Sequence, residues 1–197
     1  MTRKKGKNLV EEKPPHFECT KCGTCCRDDS ILITVTGGDI KNISSVLDLS
    51  PEEILRALDF YITSDDRPAP LGLKDIPSPI TERGKALIAL RKMENGECIF
   101  LKDDLCMIHT FRPVVCQSFP FVFSIKGGEI MWGLSAKKEI CPGLGTGPLV
   151  SVDELGSLAE LVLREIGNYH VFVDEWNQNG GGSTLNLIRT ILSDARF

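Results

Sequence analysis

Four cysteines stand within eight residues in the segment Cys19-Thr20-Lys21-Cys22-Gly23-Thr24-Cys25-Cys26. Two residues between successive thiols allow a tight loop to turn both sulfurs toward one ion, and Gly23 gives that loop backbone freedom. A single pair at this spacing also occurs in redox motifs. Three thiols at the repeated spacing with a fourth adjacent to them favour a metal site, and the rest of the chain is interpreted from this loop.

Four further cysteines are distributed singly along the chain, at Cys98, Cys106, Cys116 and Cys141. The total of 8 in 197 residues is below the density of small secreted disulfide scaffolds. No apolar stretch follows the basic first residues as a secretory signal would require, and no apolar run approaches the ~20 residues of a membrane span. We therefore expect a cytoplasmic protein without a membrane partner, whose thiols stay reduced and bind metal.

Charge is distributed unevenly along the chain. The formal net charge is −4, with 42% hydrophobic and 25% charged residues, which is ordinary for a globular protein. Basic residues are concentrated in residues 1–13, so the remainder of the chain is more acidic than the whole. We expect residues 1–16 to be a basic disordered tail. An acidic body is poorly suited to phosphate contacts, so nucleic acid is not an expected general partner.

The apolar patterns predict an α+β fold with small antiparallel hairpins and several helices around a metal-stapled loop region. The β-branched residues 31–36 predict a short buried strand, and apolar residues at helical spacing predict a helix over 40–47. Ser50-Pro51-Glu52-Glu53 has the form of a capping box with proline in the first turn. It predicts a second helix that runs through Ile54, Leu58 and Ile62.

Two hairpins and two further helices are predicted in the rest of the chain. One hairpin joins strands 86–90 and 98–101 around a turn at 94–97, and the other joins 121–125 and 129–134. Ser151 and Glu154 predict the start of a helix that continues to Val173, and a short terminal helix follows the glycines at 180–182. We expect residues 17–150 to form the cysteine-cluster metal-binding domain. Residues 151–197 are expected to be a C-terminal helical extension that packs on it.

Four thiolates complete a tetrahedral zinc site, and four also hold a 4Fe-4S iron–sulfur cluster, so eight cysteines suffice for two sites. The spacing favours neither metal. The run C-x2-C-x2-C with a later Cys-Pro pair is similar to the ligand run of bacterial ferredoxins. In this interpretation one site uses Cys19, Cys22, Cys25 and Cys141, and the second uses Cys26, Cys98, Cys106 and Cys116.

The order of the cysteines and their neighbours resembles the YkgJ-like CxxCxxCC cysteine-cluster family over roughly residues 17–143. The residues that carry the resemblance are the run from Cys19 to Cys26, then Cys98-Ile99-Phe100-Leu101, Cys106-Met107-Ile108-His109, Arg112-Pro113, Cys116, Phe119-Pro120 and Cys141-Pro142-Gly143. That family is described as zinc- or iron-chelating, is often named an Fe–S-cluster protein, and is related to the cysteine domain of flagellin lysine N-methylase. The resemblance implies that all eight cysteines chelate metal, and it implies no particular reaction.

Arg112 and His109 lie between two of the expected ligands. A zinc ion held by four thiolates carries a net negative charge, which a nearby guanidinium would offset while donating hydrogen bonds, and the family resemblance favours this position for Arg112. The alternative for Arg112 is a surface position in which its stem packs on an aromatic ring. We expect His109 to be a packed, hydrogen-bonded residue and not a ligand.

Three functions are consistent with these observations. The first is a metal-binding protein in which thiolates hold zinc or an iron–sulfur cluster and thereby stabilise the fold. The second is an enzyme, with iron–sulfur-dependent redox chemistry or protein lysine methyl transfer, although no G-x-G-x-x-G fingerprint follows a strand and no catalytic residue can be named. The third is a zinc-stapled interaction module whose basic tail contacts RNA or an acidic protein.

Overall fold

The computed structural model of the protein describes residues 13–64, 66, 68–69, 73 and 76–197. Residues 1–12 of the expected basic tail therefore lie outside the described residues. The elements in chain order are β1 (His16–Phe17), α1 (Thr24–Arg27), α2 (Gly37–Val46), α3 (Pro51–Arg56), β2 (Leu58–Ile62), β3 (Ile80–Thr81), β4 (Gly84–Leu90), β5 (Leu101–Lys102), β6 (Leu105–Cys106), a 3-10 turn (His109–Phe111), α4 (Val114–Ser118), β7 (Phe121–Lys126), β8 (Glu129–Leu134), β9 (Leu144–Leu149), α5 (Val152–Gln178) and α6 (Thr184–Ser193). This mixture of helices and small antiparallel sheets confirms the α+β class.

The helices that were predicted from capping boxes begin where the sequence places them, because a capping box is formed by residues only three positions apart. Ser50 and Ser151 each accept a hydrogen bond from the backbone N–H three residues on, and the glutamate there bonds back, so both predicted capping boxes are present. A third capping box at the start of α2 joins Thr36 and Asp39. Asp39 is buried, unlike the glutamates of the other two capping boxes. Its Oδ1 also accepts a hydrogen bond from the backbone N–H of Val114 at 2.9 Å.

The prediction that the second helix continues through Leu58 and Ile62 is wrong. The helix α3 ends at Arg56, and Leu58–Ile62 is strand β2, paired antiparallel with β4 from Leu58↔Leu90 to Ile62↔Ala86. The segment is rich in residues that suit a pleated, half-buried surface, including Phe60 and Tyr61. Pairing with a distant strand therefore outweighed the local helical pattern.

The first predicted hairpin is also wrong in its pairing. The strand at 86–90 is present within β4, but β4 lies between β2 and β3 and does not pair with residues 98–101. Cys98 forms a single bridge with Lys92 across the predicted turn. The predicted strand 31–36 is likewise reduced to a bridge between Thr34 and Ala89, with backbone bonds on either side. The second hairpin is confirmed as β7 and β8 in the register Phe121↔Leu134 to Lys126↔Glu129.

Two hydrophobic cores meet beside the cysteines. The main core joins side chains of α2, α3, β2 and β4 to those of α5 and α6, among them Ile40, Ile54, Ile88, Tyr169 and Ile188. Residues on both sides of the expected boundary at 150 therefore contribute to one core. A smaller core consists of Ala136, Cys141 and Leu144, with Phe17 and Phe119 packed against it. Within the described residues, no helix combines the length and apolar character required to cross a membrane.

Candidate metal centre

Seven of the eight cysteines line one cavity of about 80 Å³ between the two cores. They are Cys19, Cys22, Cys25, Cys26, Cys106, Cys116 and Cys141. The eighth, Cys98, is described but lies outside this lining, and its backbone N–H donates to the carbonyl oxygen of Cys26 at 2.8 Å. All eight are free thiols. The fold thus brings together sulfurs from segments that are far apart in the sequence.

The cysteine loop turns at Gly23, which precedes helix α1. Gly23 has φ +70°, a conformation that favours glycine. A Cβ at this position would lie 3.1 Å from a guanidinium nitrogen of Arg27 and 3.2 Å from the Leu101 side chain. The turn places Cys25 and Cys26 on α1, with their side chains in the cavity lining. The freedom expected of Gly23 from the sequence is therefore required by both its backbone conformation and its close neighbours.

Two cations that the sequence did not single out hold this loop in place. Arg27 donates from Nη1 to the Cys22 carbonyl oxygen at 2.8 Å, and its guanidinium also contacts the carboxylate of Asp104 in the β5–β6 turn. Lys92 Nζ donates to the carbonyl oxygens of Cys26 and Asp28, at 3.2 and 2.9 Å. The position of Arg27 directly after the cysteine run was a usable signal, whereas nothing in the sequence near Lys92 indicated its role.

The pairing of β1 with β9 brings the two ends of the cysteine pattern together. Phe17 is the register partner of Leu144, and the Glu18 N–H donates to the Gly143 carbonyl oxygen at 3.3 Å. Cys19 therefore follows the strand that lies against the segment after Cys141. The approach is so close that a Cβ on Gly143 would overlap the carbonyl oxygen of Glu18.

The thiols of Cys25, Cys26 and Cys106 form a hydrogen-bonded series. The bond with Cys26 lowers the pKa of Cys25 to about 7 and that of Cys106 to about 6, with the Arg112 guanidinium acting in the same direction on both. The pKa of Cys26 itself is raised, first because its thiol is bonded to Cys106 and to Cys25. All three side chains line the same cavity.

The remaining thiols fall into two neighbourhoods. Burial raises the pKa of Cys116 well above its usual range, and the charges of Cys25, Cys98 and Cys106 add to this rise. Burial also raises the pKa of Cys141, and here the thiol charges that add to the rise are those of Cys25 and Cys19. Cys25 thus lies between the neighbourhoods. We call Cys26, Cys98, Cys106 and Cys116 the inner thiols, and Cys19, Cys22, Cys25 and Cys141 the outer thiols.

Arg112 lines the same cavity as the thiols. Its Nη1 contacts Nε2 of His109, and its buried Nε has no hydrogen-bond partner among the described residues. Burial lowers the pKa of His109, as do the charges of Arg112 and Lys21, so the ring stays neutral and can accept a hydrogen bond from the guanidinium. An unpaired N–H beside several sulfurs is an observation in favour of a negatively charged group in the cavity.

As the side chains stand, no three or more His, Cys, Asp or Glu residues within the described ranges are arranged to hold a metal ion. The central sulfurs are hydrogen-bonded to one another, as in the series from Cys25 to Cys106. The donor set nevertheless fits a soft metal in its chemistry, because thiolates select zinc and iron–sulfur clusters. The unpaired guanidinium N–H of Arg112 fits the negative charge of such a centre.

Comparison with known proteins agrees with this chemistry. The model of the CxxCxxCC family, described as "Putative zinc- or iron-chelating domain", matches residues 18–142. The match covers more than half of the chain and all eight cysteines. No curated protein and no solved structure matches the chain. The family expected from the order of the cysteines is confirmed, and the chain belongs to the CxxCxxCC family.

Proposed function

We propose that the protein binds zinc or an iron–sulfur cluster through its eight cysteine thiolates. The observation that carries the proposal is the convergence of seven free thiols from segments between Cys19 and Cys141 on one cavity. Free thiols gathered at a cavity are typical ligands of soft metals. A cytoplasmic location, where thiols stay reduced, would suit this role.

Eight thiolates divide into two sets of four. Three relations support the inner thiols as one set. The backbone N–H of Cys98 donates to the carbonyl oxygen of Cys26, and the Cys26 thiol is hydrogen-bonded to that of Cys106. The charges of Cys98 and Cys106 both raise the pKa of Cys116. The outer thiols are supported as the second set by the β1–β9 pairing, which brings Cys141 toward Cys19. This division agrees with the interpretation based on the ferredoxin-like spacing.

Binding would replace the hydrogen bonds among the thiols with bonds to the metal. Each thiol must lose its proton, and the sulfurs must turn from one another toward the common centre by rotation about χ1. Because the ligands come from separate loops, the free energy of metal binding would stabilise the folded state directly. The metal would therefore join the cysteine loop, the β5–β6 turn and α4.

Arg112 would balance the charge of the centre without ligating it. A divalent zinc with four thiolates carries a charge of about −2, and a guanidinium beside it offsets that charge and donates N–H bonds to sulfur. The buried Nε of Arg112, which has no partner among the described side chains, supports this role. The contact with His109 would hold the guanidinium in its orientation.

The test is metal analysis of protein purified without oxygen, combined with an absorbance spectrum. Zinc gives a colourless protein with stoichiometric metal, and an iron–sulfur cluster gives a broad visible band that a reductant bleaches. Only the second result would open the enzymatic alternatives of redox chemistry or methyl transfer. Protein that holds neither metal as purified nor after supply of zinc, or of iron and sulfide, would refute the proposal.

A further inference from the structure

The two sets of thiols differ in their access to solvent. Cys19 and Cys22 are exposed, whereas Cys98 is only 3% exposed and belongs to the main core. We propose that the outer thiols form an exchangeable site that passes its metal to an external thiol-bearing acceptor, while the inner thiols retain theirs as a structural staple. This inference rests on the proposed metal binding and assigns a further function to one of the two proposed sites.

The inner thiols are enclosed on the side of the main core. Cys26, Cys106 and Cys116 pack against that core, in which Cys98 is buried. The backbone at Cys26 is also held by the N–H of Cys98 and the ammonium group of Lys92. A surrounding shell of this kind controls solvent access to a metal. Because Cys26, Cys106 and Cys116 line the cavity that they share with the outer thiols, an incoming ligand would have to pass the exposed Cys19 and Cys22 before it could reach a metal held by these sulfurs.

The outer thiols offer two ligands at the surface. Cys19 and Cys22 are exposed, and the Thr24 hydroxyl donates to the Cys22 sulfur in an exposed hydrogen bond of 3.2 Å. Cys141 is buried, but its core consists of only three buried residues. An acceptor thiolate can therefore displace Cys19 and Cys22 first, and then take the metal from Cys25 and Cys141.

Cationic side chains in the cavity lining suit an anionic acceptor. Lys21 lies between the two exposed cysteines, and both Lys21 and Arg112 line the cavity. Their positive charge favours the approach of a thiolate over that of a neutral ligand. The partner expected for this surface is thus a protein or peptide that presents deprotonated cysteines.

The exchange involves no oxidation or reduction. In each step one metal–sulfur bond to the acceptor forms and one to an outer thiol of this chain breaks. The acceptor binds as a thiolate whose proton has already passed to solvent, and the released cysteine takes up a proton from solvent. The oxidation states of metal and sulfur remain unchanged when the metal has moved.

The experiment uses the full chain loaded with zinc without oxygen, mixed with an excess of a chromophoric zinc chelator. We expect release in two phases of equal amplitude, the fast phase at least about tenfold faster than the slow one. Cys22→Ser should lose the fast phase and keep the slow phase. A zinc-free peptide with two C-x2-C pairs, used in place of the chelator, should receive only the fast half.

A second measurement uses the wild-type protein and requires no variant to fold. The wild-type protein is alkylated after the fast phase, and the modified cysteines are identified by mass spectrometry. Labelling confined to Cys19, Cys22, Cys25 and Cys141 supports the proposal, and labelling of Cys98 or Cys116 at this stage overturns it. Release of two zinc ions in one phase also overturns the proposal but leaves metal binding intact. A chain that binds no zinc overturns the exchange proposal, and one that also assembles no cluster from iron and sulfide removes metal binding as well.

Discussion

Gly143→Ala should break the contact that holds the ends of the cysteine pattern together. Gly143 follows Cys141-Pro142, and an added Cβ would overlap the carbonyl oxygen of Glu18 and lie 3.3 Å from the Phe17 ring. Both neighbours belong to the segment that leads into Cys19. Since the nearest atom is backbone, the strand itself must move, and the Glu18 N–H bond to Gly143 at 3.3 Å is lost.

The magnitude follows from the crowding. Inserting a methyl group into a packed site costs about 1–3 kcal/mol. Loss of a backbone hydrogen bond adds about 1 kcal/mol, so Gly143→Ala should lower the free energy of unfolding by about 2–4 kcal/mol. The matched control is Gly156→Ala in α5, where no described atom lies within 4 Å of the added Cβ. That substitution should stabilise the helix by about 0.5–1 kcal/mol, because alanine loses less backbone entropy.

The assay is urea unfolding of both variants after removal of metal, since bound metal itself raises stability. The midpoint of Gly143→Ala should decrease and that of Gly156→Ala increase, with unchanged m-values. Metal analysis should show that Gly143→Ala loses metal from the outer thiols, because Cys19 and Cys141 move apart. A Gly143→Ala protein as stable as Gly156→Ala, with full metal content, would refute the proximity of β1 and the segment after Cys141.

Three further predictions concern the thiols and their surroundings. Cys22→Ser and Cys116→Ser should each reduce bound metal and the melting temperature, because each removes a thiolate ligand; unchanged metal content and melting in both would contradict the eight-thiolate assignment. Arg112→Ala should keep the metal and melt at a slightly lower temperature, so complete metal loss would show that the guanidinium has another role. Burial raises the pKa of Asp39 from 3.8 to about 6 against the bonds from Thr36 and Val114, so the folded protein keeps a proton that the unfolded chain releases. The resulting stabilisation is complete below about pH 4 and is lost as the pH rises through 6, and urea midpoints across this range should show the decrease in wild type but not in Asp39→Ala.

Elements that depend on neighbours in the sequence could be predicted correctly. The capping boxes at Ser50 and Ser151 are formed by residues three positions apart. The β7–β8 hairpin turns at Gly127 and Gly128, both with positive φ, between two apolar strands. In each case the residues that make the structure are also the residues that signal it.

Elements that depend on distant partners could not be predicted. Leu58–Ile62 has a helical apolar spacing, yet it is strand β2 because β4 offers it a backbone ladder. The residues 98–101 have the composition of a strand, yet β4 already pairs with β2 and β3. Which segments pair with β4 is decided by packing across the whole core. A short window of sequence does not contain that information.

The same division applies to the candidate metal centre. The sequence by itself determined the thiol chemistry and the family. Both depend on residue type, on the short spacing within the cysteine run and on the order of the later cysteines. Only the tertiary structure decided which sulfurs are neighbours, through the β1–β9 pairing, the bond between Cys98 and Cys26, and the clamps from Arg27 and Lys92. Thiol chemistry belongs to each residue alone, whereas proximity and access to solvent depend on how the whole chain packs.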